Sequence, residues 1–164
     1  INTLFPVLTV LESVMLAIFE RTGASWHWHR TVASHKDARD EAMALLCRLQ
    51  LGADALAPTH ALPYGKQRLV EIALALATHP GILLLAEPAA GIPSRESTEL
   101  FEVIASLPRD ITILFIEHDM NLVFRFAERI TVLLAGRVLT EGTPQEIAAD
   151  PRVREVYLGE VEHA

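Results

Sequence analysis

Two short, unbroken apolar runs with a helical pattern between them limit the fold of this chain more than any other feature. The runs are Ile82–Leu85 and Ile111–Ile116. Between them, apolar residues recur at the spacing of one helix face, at Leu100, Val103, Ile104 and Leu107. Such runs are typical of strands covered on both faces. The pattern predicts a strand–helix–strand crossover with parallel strands, in which Ser94 caps the helix.

Three further helical patterns precede this unit. The first follows a capping box at Thr9–Glu12, in which threonine and glutamate satisfy each other's backbone donors. The second opens at Ser34, and the third starts near Gly65 and stops at His79–Gly81. Apolar residues in each pattern share one helix face. The sequence therefore predicts a helical region over about residues 8–79.

A hairpin and a capped helix follow the crossover. A helix is predicted over Met120–Ala127, and strands over Ile130–Ala135 and Val138–Glu141 meet in a turn at Gly136–Arg137. Thr143–Glu146 combines a capping box with proline at the first helical position. The predicted fold class is α/β, with a parallel sheet, a helical subdomain, and a hairpin and helices at the C-terminal end.

Composition narrows the class of protein. The chain has 164 residues, 51% of them hydrophobic, which suffices for one core and excludes a disordered chain. Its 14 Lys and Arg against 21 Asp and Glu give a net charge of −7, which argues against a nucleic-acid partner. Glu12 and Glu87 interrupt the longest apolar stretches, so no membrane span is predicted.

Polar residues follow both apolar runs, where an open parallel sheet usually receives its ligands. Glu87 follows the first run and His118 the second. A carboxylate and an imidazole at neighbouring strand ends could face one reacting water, with Glu87 as base and His118 as donor to developing negative charge. The pattern leaves open that both are helix-capping or solvated loop residues.

A second candidate site is the segment Leu62–Arg68, which places a glycine and polar residues at a helix amino terminus. Free backbone N–H groups and the helix dipole attract anions there, and phosphate is the obvious candidate. The local chemistry alone favours the alternative, an ordinary turn before a helix.

Three segments together resemble motifs of an ATP-binding cassette (ABC) transporter ATPase, in both order and spacing. Leu62–Arg68 resembles the signature motif, Ile82–Pro88 the Walker B strand, and His118 the switch histidine. Further segments are similar to the subfamily that serves branched-chain amino acid uptake: Phe5–Glu12, Ala89–Gly91, Ile116–Met120, Glu141–Pro144, Asp150–Val153 and Tyr157–Glu160. The resemblance implies a partial P-loop NTPase fold. A helical, signature-bearing subdomain would span residues 1–79, and the later part of the ATPase core with a subfamily extension would span residues 80–164.

The resemblance also implies roles for individual residues. Glu87 would be the catalytic base and His118 the switch histidine. Gly65, Lys66 and Gln67 would be signature residues that contact ATP held by a partner subunit. The implied cofactors of the complete family member are ATP and Mg²⁺.

Two residues depart from the family pattern. Pro63 stands in place of the signature serine and offers neither a hydroxyl nor an N–H. Ala86 replaces the Walker B aspartate and supplies no oxygen to a metal, so no metal ligand is predicted.

The sequence also contains no G-x-x-x-x-G-K-[ST] phosphate loop. At the Gly65–Lys66 pair, His60 takes the place of the first glycine and Gln67 that of the hydroxyl residue. We therefore expect the chain to correspond to the portion of a cassette after the glutamine loop. We also expect the isolated chain to lack ATPase activity.

The function implied by the resemblance is that of a portion of the ATP-binding subunit of an importer for branched-chain amino acids. In the complete protein, this subunit would couple ATP binding and hydrolysis to transport. Its implied partners are a second ATPase subunit, arranged head to tail, and transmembrane permease subunits. Its implied location is peripheral, on the cytoplasmic face of the membrane. The alternative is a catalytically inactive, degenerate cassette that acts as an interaction or regulatory module.

Two surface features complete the sequence-based expectations. An exposed apolar sheet edge is expected to permit self-association. The segment Trp26–His29 pairs two tryptophans with two histidines. Two histidines without a nearby carboxylate or cysteine make an incomplete metal shell, so a surface loop is the favoured interpretation of this segment.

Overall fold

The computed structural model describes residues 4–23 and 36–158, and the chain divides into two compact units, Ile1–Ile116 and Glu117–Ala164. The predictions for Ser34, for Trp26–His29 and for the final residues Gly159 and Glu160 lie outside the described residues. The proposed boundary between subdomains at residues 79 and 80 stays a prediction.

Helices make up most of the first unit before its strands begin. They are α1 (Val10–Thr22), α2 (Lys36–Arg48) and α3 (Tyr64–Leu76), with short 3₁₀ turns at Gly52–Asp54 and Thr59–Ala61. The capping box predicted for α1 is confirmed. The Glu12 N–H donates to Thr9 Oγ1 at 3.2 Å, and the Thr9 N–H donates to Glu12 Oε2 at 2.8 Å.

The predicted crossover is confirmed as β1 (Ile82–Ala86), α4 (Ser94–Ala105) and β2 (Thr112–Ile116). The two strands are parallel, with Ile82 opposite Thr112 and Ala86 opposite Ile116. This register brings the carboxyl ends of both strands to the same end of the sheet, as the predicted parallel crossover requires.

The core of the first unit is one apolar cluster shared by its helices and one face of the sheet. Its buried members include Val14, Ile18, Leu46, Val70, Ala73, Leu83, Leu100 and Ile104. Side chains three and four residues apart on each helix point into this cluster, as the periodicity predicted. The helical patterns of the sequence are therefore explained by burial against a common core.

The prediction that both strands are covered on both faces is wrong. Leu83 is 3% exposed and belongs to the core, whereas its neighbour Leu84 is 69% exposed. Successive strand side chains point to opposite faces. The apolar run therefore shows only which amino acids form the strand. The burial of each side chain depends on which elements cover its face of the sheet.

The predicted cap at Ser94 is also wrong. Pro93 occupies the N-cap position of α4, with φ −57° and ψ 145°, and no side chain caps the helix. Because Pro93 already turns the chain into the helix, Ser94 becomes the first helical residue. Ser97 Oγ then donates to the Pro93 carbonyl at 3.2 Å.

The second unit begins with α5 (Met120–Phe126), followed by β3 (Ile130–Leu134) and β4 (Arg137–Gly142). The strands form the predicted antiparallel hairpin, with a register shift between Val132 and Leu133. The turn lies one residue earlier than predicted. Ala135 and Gly136 have φ values of 49° and 76°, and two-residue hairpin turns of this type need positive φ at both central positions.

The C-terminal part of the second unit is helical. It contains α6 (Pro144–Ala149), α7 (Pro151–Val153) and a π-helical turn at Arg154–Leu158. The capping box at Thr143 is confirmed, since Thr143 Oγ1 accepts from the Glu146 N–H. No helix among the described residues is long and apolar enough to cross a membrane.

Candidate functional site

The signature-like segment lies at the amino terminus of α3, as predicted. Pro63 is the N-cap residue, with φ −54° and ψ 150°, and Tyr64 is the first helical residue. Proline suits this position because its ring fixes φ, but its side chain cannot accept a hydrogen bond from the first turn. The helix therefore begins without a side-chain cap.

Two of the predicted phosphate-contacting side chains are bound within their own unit. Lys66 Nζ donates to Asp54 Oδ2 at 2.7 Å, and Gln67 Nε2 donates to the Leu62 carbonyl at 2.9 Å. The Asp54 carboxylate thus offsets the charge of the Lys66 ammonium. Contact with a nucleotide through Lys66 requires this ion pair to open or to be shared.

Gly65 is buried, and its lack of a side chain has a packing reason. A Cβ at this position would lie 3.1 Å from Glu96 Oε2 and 3.8 Å from Ile92 Cγ2. The first turn of α3 is therefore packed against the start of α4 and the loop before it. The sequence did not indicate this contact, because residues 65 and 96 are brought together by tertiary folding.

A second contact joins the same two regions. A Cβ on Gly91 would lie 3.6 Å from Tyr64 Cε1, so the tyrosine ring rests beside this loop. Gly91 has φ +75°, a left-handed conformation that glycine adopts without a steric penalty. The loop that follows β1 and the signature-like segment therefore form one packed surface.

Arg68 organises the outer side of this surface. Its guanidinium donates to Tyr64 Oη and to Glu71 Oε2, both at 2.7 Å, and lies 5.0 Å from the centre of the Tyr64 ring. The hydrogen bond to Glu71 raises the pKa of Arg68 above its ordinary value. The i, i+3 and i+4 spacing of these residues on a helix is the sequence signal that could have identified the cluster.

Ala86 and Glu87 lie where β1 ends. Ala86 is opposite Ile116, and the Glu87 N–H donates to the Ile116 carbonyl at 2.9 Å. Glu87 is exposed and has φ 46°. A left-handed backbone at a residue other than glycine costs about 1–3 kcal/mol, and such residues cluster at functional sites. This strained turn ends the strand at the predicted catalytic position.

The residues at this strand end do not fit a magnesium ion held by a Walker B side chain. Ala86 has no oxygen to offer, and magnesium requires oxygen ligands. Within residues 4–23 and 36–158, no three or more His, Cys, Asp and Glu side chains are grouped so that they could hold a metal ion. No reaction step through a metal–nucleotide complex is therefore assigned to these residues.

His118 is exposed and lies in the second unit, two residues before α5 begins. Its neighbour Asp119 caps that helix by accepting from the Asn121 N–H at 2.9 Å. Helix capping, the alternative role raised for the residues after the second apolar run, is therefore the role of Asp119. Glu87 belongs to the first unit, and the joint action of Glu87 and His118 on one water stays a prediction.

Comparison with known proteins identifies the family. The chain is 42% identical to the high-affinity branched-chain amino acid transport ATP-binding protein LivG of Salmonella typhimurium, over 96% of this chain and 64% of LivG. The chain belongs to the ATP-binding cassette family. Residues 137–163 also match the family model described as branched-chain amino acid ATP-binding cassette transporter. The resemblance stated from the sequence is confirmed.

Solved cassette structures confirm the fold. MJ1267, an ATP-binding cassette of an ABC transporter in its ADP conformation, superposes with a TM-score of 0.78 at 27% identity, over 97% of this chain and 66% of that one. The dimeric cassette MJ0796 gives 0.66 at 30% identity, over 87% of this chain and 60% of that one. The chain spans 64% of the length of LivG.

Proposed function

We propose that this chain acts as a portion of the ATP-binding subunit of an ABC importer for branched-chain amino acids. In the complete protein, that subunit couples ATP binding and hydrolysis to transport. The similarity to LivG over 96% of the chain is the observation that carries this proposal. The match over residues 137–163 supports the choice of solute class, because that family model is described as a branched-chain amino acid ATP-binding cassette transporter.

The signature-like segment is the proposed contact with nucleotide held by a second subunit. Gly65 and Lys66 lie in the first turn of α3, where backbone N–H groups lack intrahelical acceptors and the helix dipole favours an anion. Gln67 follows them, and its N–H donates to the Pro63 carbonyl at 3.0 Å. Pro63 removes the hydroxyl that the family places here. The remaining attraction is therefore supplied by the backbone and by the Lys66 ammonium.

Glu87 and His118 occupy the proposed positions of the catalytic base and the switch histidine. The strained turn at Glu87 supports a functional role for this strand end. Because Ala86 supplies no metal ligand, these two residues are not expected to hydrolyse ATP within the isolated chain. ATP and Mg²⁺ are proposed as cofactors of the complete subunit only.

The proposed partners are a second cassette, arranged head to tail, and transmembrane permease subunits. MJ0796, which shares this fold, is described as a dimeric cassette. The proposed location is peripheral, at the cytoplasmic face of the membrane, where the permease subunits would hold the chain.

Capture by permease subunits tests this proposal. Membrane subunits of a branched-chain amino acid importer, reconstituted in nanodiscs, should retain the purified chain, and added Salmonella LivG should displace it. Nanodiscs with an unrelated membrane protein are the control. Equal retention by both nanodiscs, or no retention by either, would contradict the assignment to this importer.

The alternative function is an inactive cassette that serves as an interaction or regulatory module. Pro63, Ala86 and the ion pair of Lys66 with Asp54 favour it, because each weakens nucleotide handling. The two functions differ in one observable quantity. A portion of an importer subunit should associate with a second cassette more strongly when ATP is present, whereas an inactive module should associate equally with and without ATP.

A further inference from the structure

The Glu96 carboxylate lies against the first turn of α3. A Cβ on Gly65 would lie 3.1 Å from Glu96 Oε2 and 3.8 Å from Glu96 Cβ. Glu96 is half-buried, and within residues 4–23 and 36–158 no hydrogen bond or ion pair involves its side chain. The negative charge of Glu96 is therefore held beside the signature-like segment without a cation of its own.

The sequence around Glu96 explains why its carboxylate is unpaired. Glu96 is the third residue of α4, and Pro93 is the N-cap residue. A glutamate at this position commonly accepts a hydrogen bond from the N-cap N–H, but proline has no N–H. Ser97 Oγ donates to the carbonyls of Ile92 and Pro93, both at 3.2 Å, and so fixes the start of α4. The carboxylate of Glu96 lies beside Gly65 instead.

The start of α3 offers positive potential to this carboxylate. Pro63 is its N-cap residue and no side chain caps the helix, so the N–H groups of the first turn lack such an acceptor. The Cα–Cβ bond of a helical residue tilts towards the helix N-terminus. An oxygen 3.1 Å from a Cβ on Gly65 therefore lies on the side from which an anion would approach the helix dipole.

The other charged side chains beside this turn compensate one another. Lys66 pairs with Asp54 and Arg68 pairs with Glu71, each at 2.7 Å. Glu96 is left as an uncompensated negative charge. Two like charges a few ångströms apart at a partly exposed position repel enough to change a binding affinity by about tenfold.

We propose that the Glu96 carboxylate is an autoinhibitory group that limits the affinity of the signature-like segment for nucleotide phosphate. Phosphate binding requires this carboxylate to turn away or to pair with a cation. The proposal rests on the proposed function, because nucleotide is the anion assigned there to this segment. It adds that the phosphate affinity of α3 is regulated from α4.

Titration of the full chain with inorganic triphosphate tests this proposal. Backbone amide NMR shifts of Gly65 and Lys66 report binding at the start of α3. We expect Glu96→Gln, which removes the charge and keeps the side-chain shape, to raise the triphosphate affinity at least fivefold at low salt. Glu96→Ala should give a gain in the same direction and is a second measurement if the first variant does not fold.

Asp110→Asn is the matched control, because it removes the same charge from an exposed residue of the same unit, beyond the far end of α4. From Glu96 to Ala105 alone, α4 rises about 14 Å, which exceeds the Debye length of about 8 Å at physiological salt. This variant should change the triphosphate affinity less than twofold. Raising the salt from about 0.05 M to about 0.5 M should at least halve the gain of Glu96→Gln, because salt screens charge repulsion but not packing.

Three results would overturn the proposal: no shift of Gly65 and Lys66 in either the chain or its Glu96 variants, equal affinities of the chain and Glu96→Gln, or an equal gain in Asp110→Asn. Triphosphate needs no second subunit, so this test does not depend on LivG. If the chain fails to associate with LivG while Glu96→Gln still gains triphosphate affinity, the proposed function fails and the effect of Glu96 on phosphate stands.

Discussion

Lys66 and Asp54 form an ion pair in which Nζ lies 2.7 Å from Oδ2. The pair joins the first turn of α3 to the 3₁₀ turn at Gly52–Asp54, and both side chains are partly exposed. It therefore holds the lysine of the signature-like segment in one position. Contact of Lys66 with a phosphate requires this pair to open or to be shared, and the pair adds only modestly to stability.

Asp54→Asn should lower the free energy of unfolding by less than about 1 kcal/mol, because partly exposed ion pairs contribute little. Urea unfolding monitored by circular dichroism measures this change. Glu99→Gln, which breaks the more exposed pair of Arg95 with Glu99, is the control and should have a smaller effect. A loss of several kcal/mol for Asp54→Asn would show that the pair is a main support of the α3 start.

Gly65→Leu should destabilise the first unit by about 1–3 kcal/mol, because added side-chain atoms overpack a closed contact. A Cβ at residue 65 already lies 3.1 Å from Glu96 Oε2. Thermal unfolding of the single variant and of the double variant with Glu96→Ala measures the coupling. Shortening Glu96 should restore part of the stability, and purely additive effects would contradict the contact.

The pKa of Asp150 is expected at about 2, below its ordinary value of 3.8, because Arg152 donates to the carboxylate. A lowered folded-state pKa contributes stability that is present above pH 3.8 and is lost as the pH falls towards 2. Carboxyl carbon NMR shifts measure this titration. Arg152→Gln should move the pKa of Asp150 back towards 3.8, and an unchanged pKa would contradict the role of Arg152.

Magnesium-dependent ATP hydrolysis by the purified chain should be absent. Ala86 supplies no oxygen ligand, Pro63 supplies no hydroxyl, and the sequence contains no phosphate loop. Phosphate release, with Salmonella LivG assayed in parallel, measures this. ATP turnover by the chain that Glu87→Gln abolishes would contradict the prediction.

Local sequence chemistry predicted much of the fold. The capping boxes at Thr9 and Thr143 fix helix starts through residues three apart, so both were visible in the sequence. The cap at Ser94 failed because Pro93 turns the chain one residue earlier. The hairpin was predicted, but its turn shifted because Gly136 takes the second of two positions that need positive φ.

Features that depend on tertiary packing could not be predicted from the sequence. The exposure of Leu84 depends on which elements cover the sheet, and its own apolar character does not reveal this. In the candidate site, motif spacing singled out Gly65 and Glu87, whose functional roles stay predictions. The ion pair of Lys66 with Asp54 and the contact of Gly65 with Glu96 join residues brought together only by folding.

The central claim is that the chain acts as a portion of a cassette subunit that faces a second cassette across nucleotide. Light scattering of the chain mixed with Salmonella LivG, with and without ATP, tests it most directly. We predict a heterodimer that forms at least tenfold more tightly with ATP and is weakened by Gln67→Ala but not by Arg137→Ala. No heterodimer, or one of equal affinity with and without ATP, would contradict the claim.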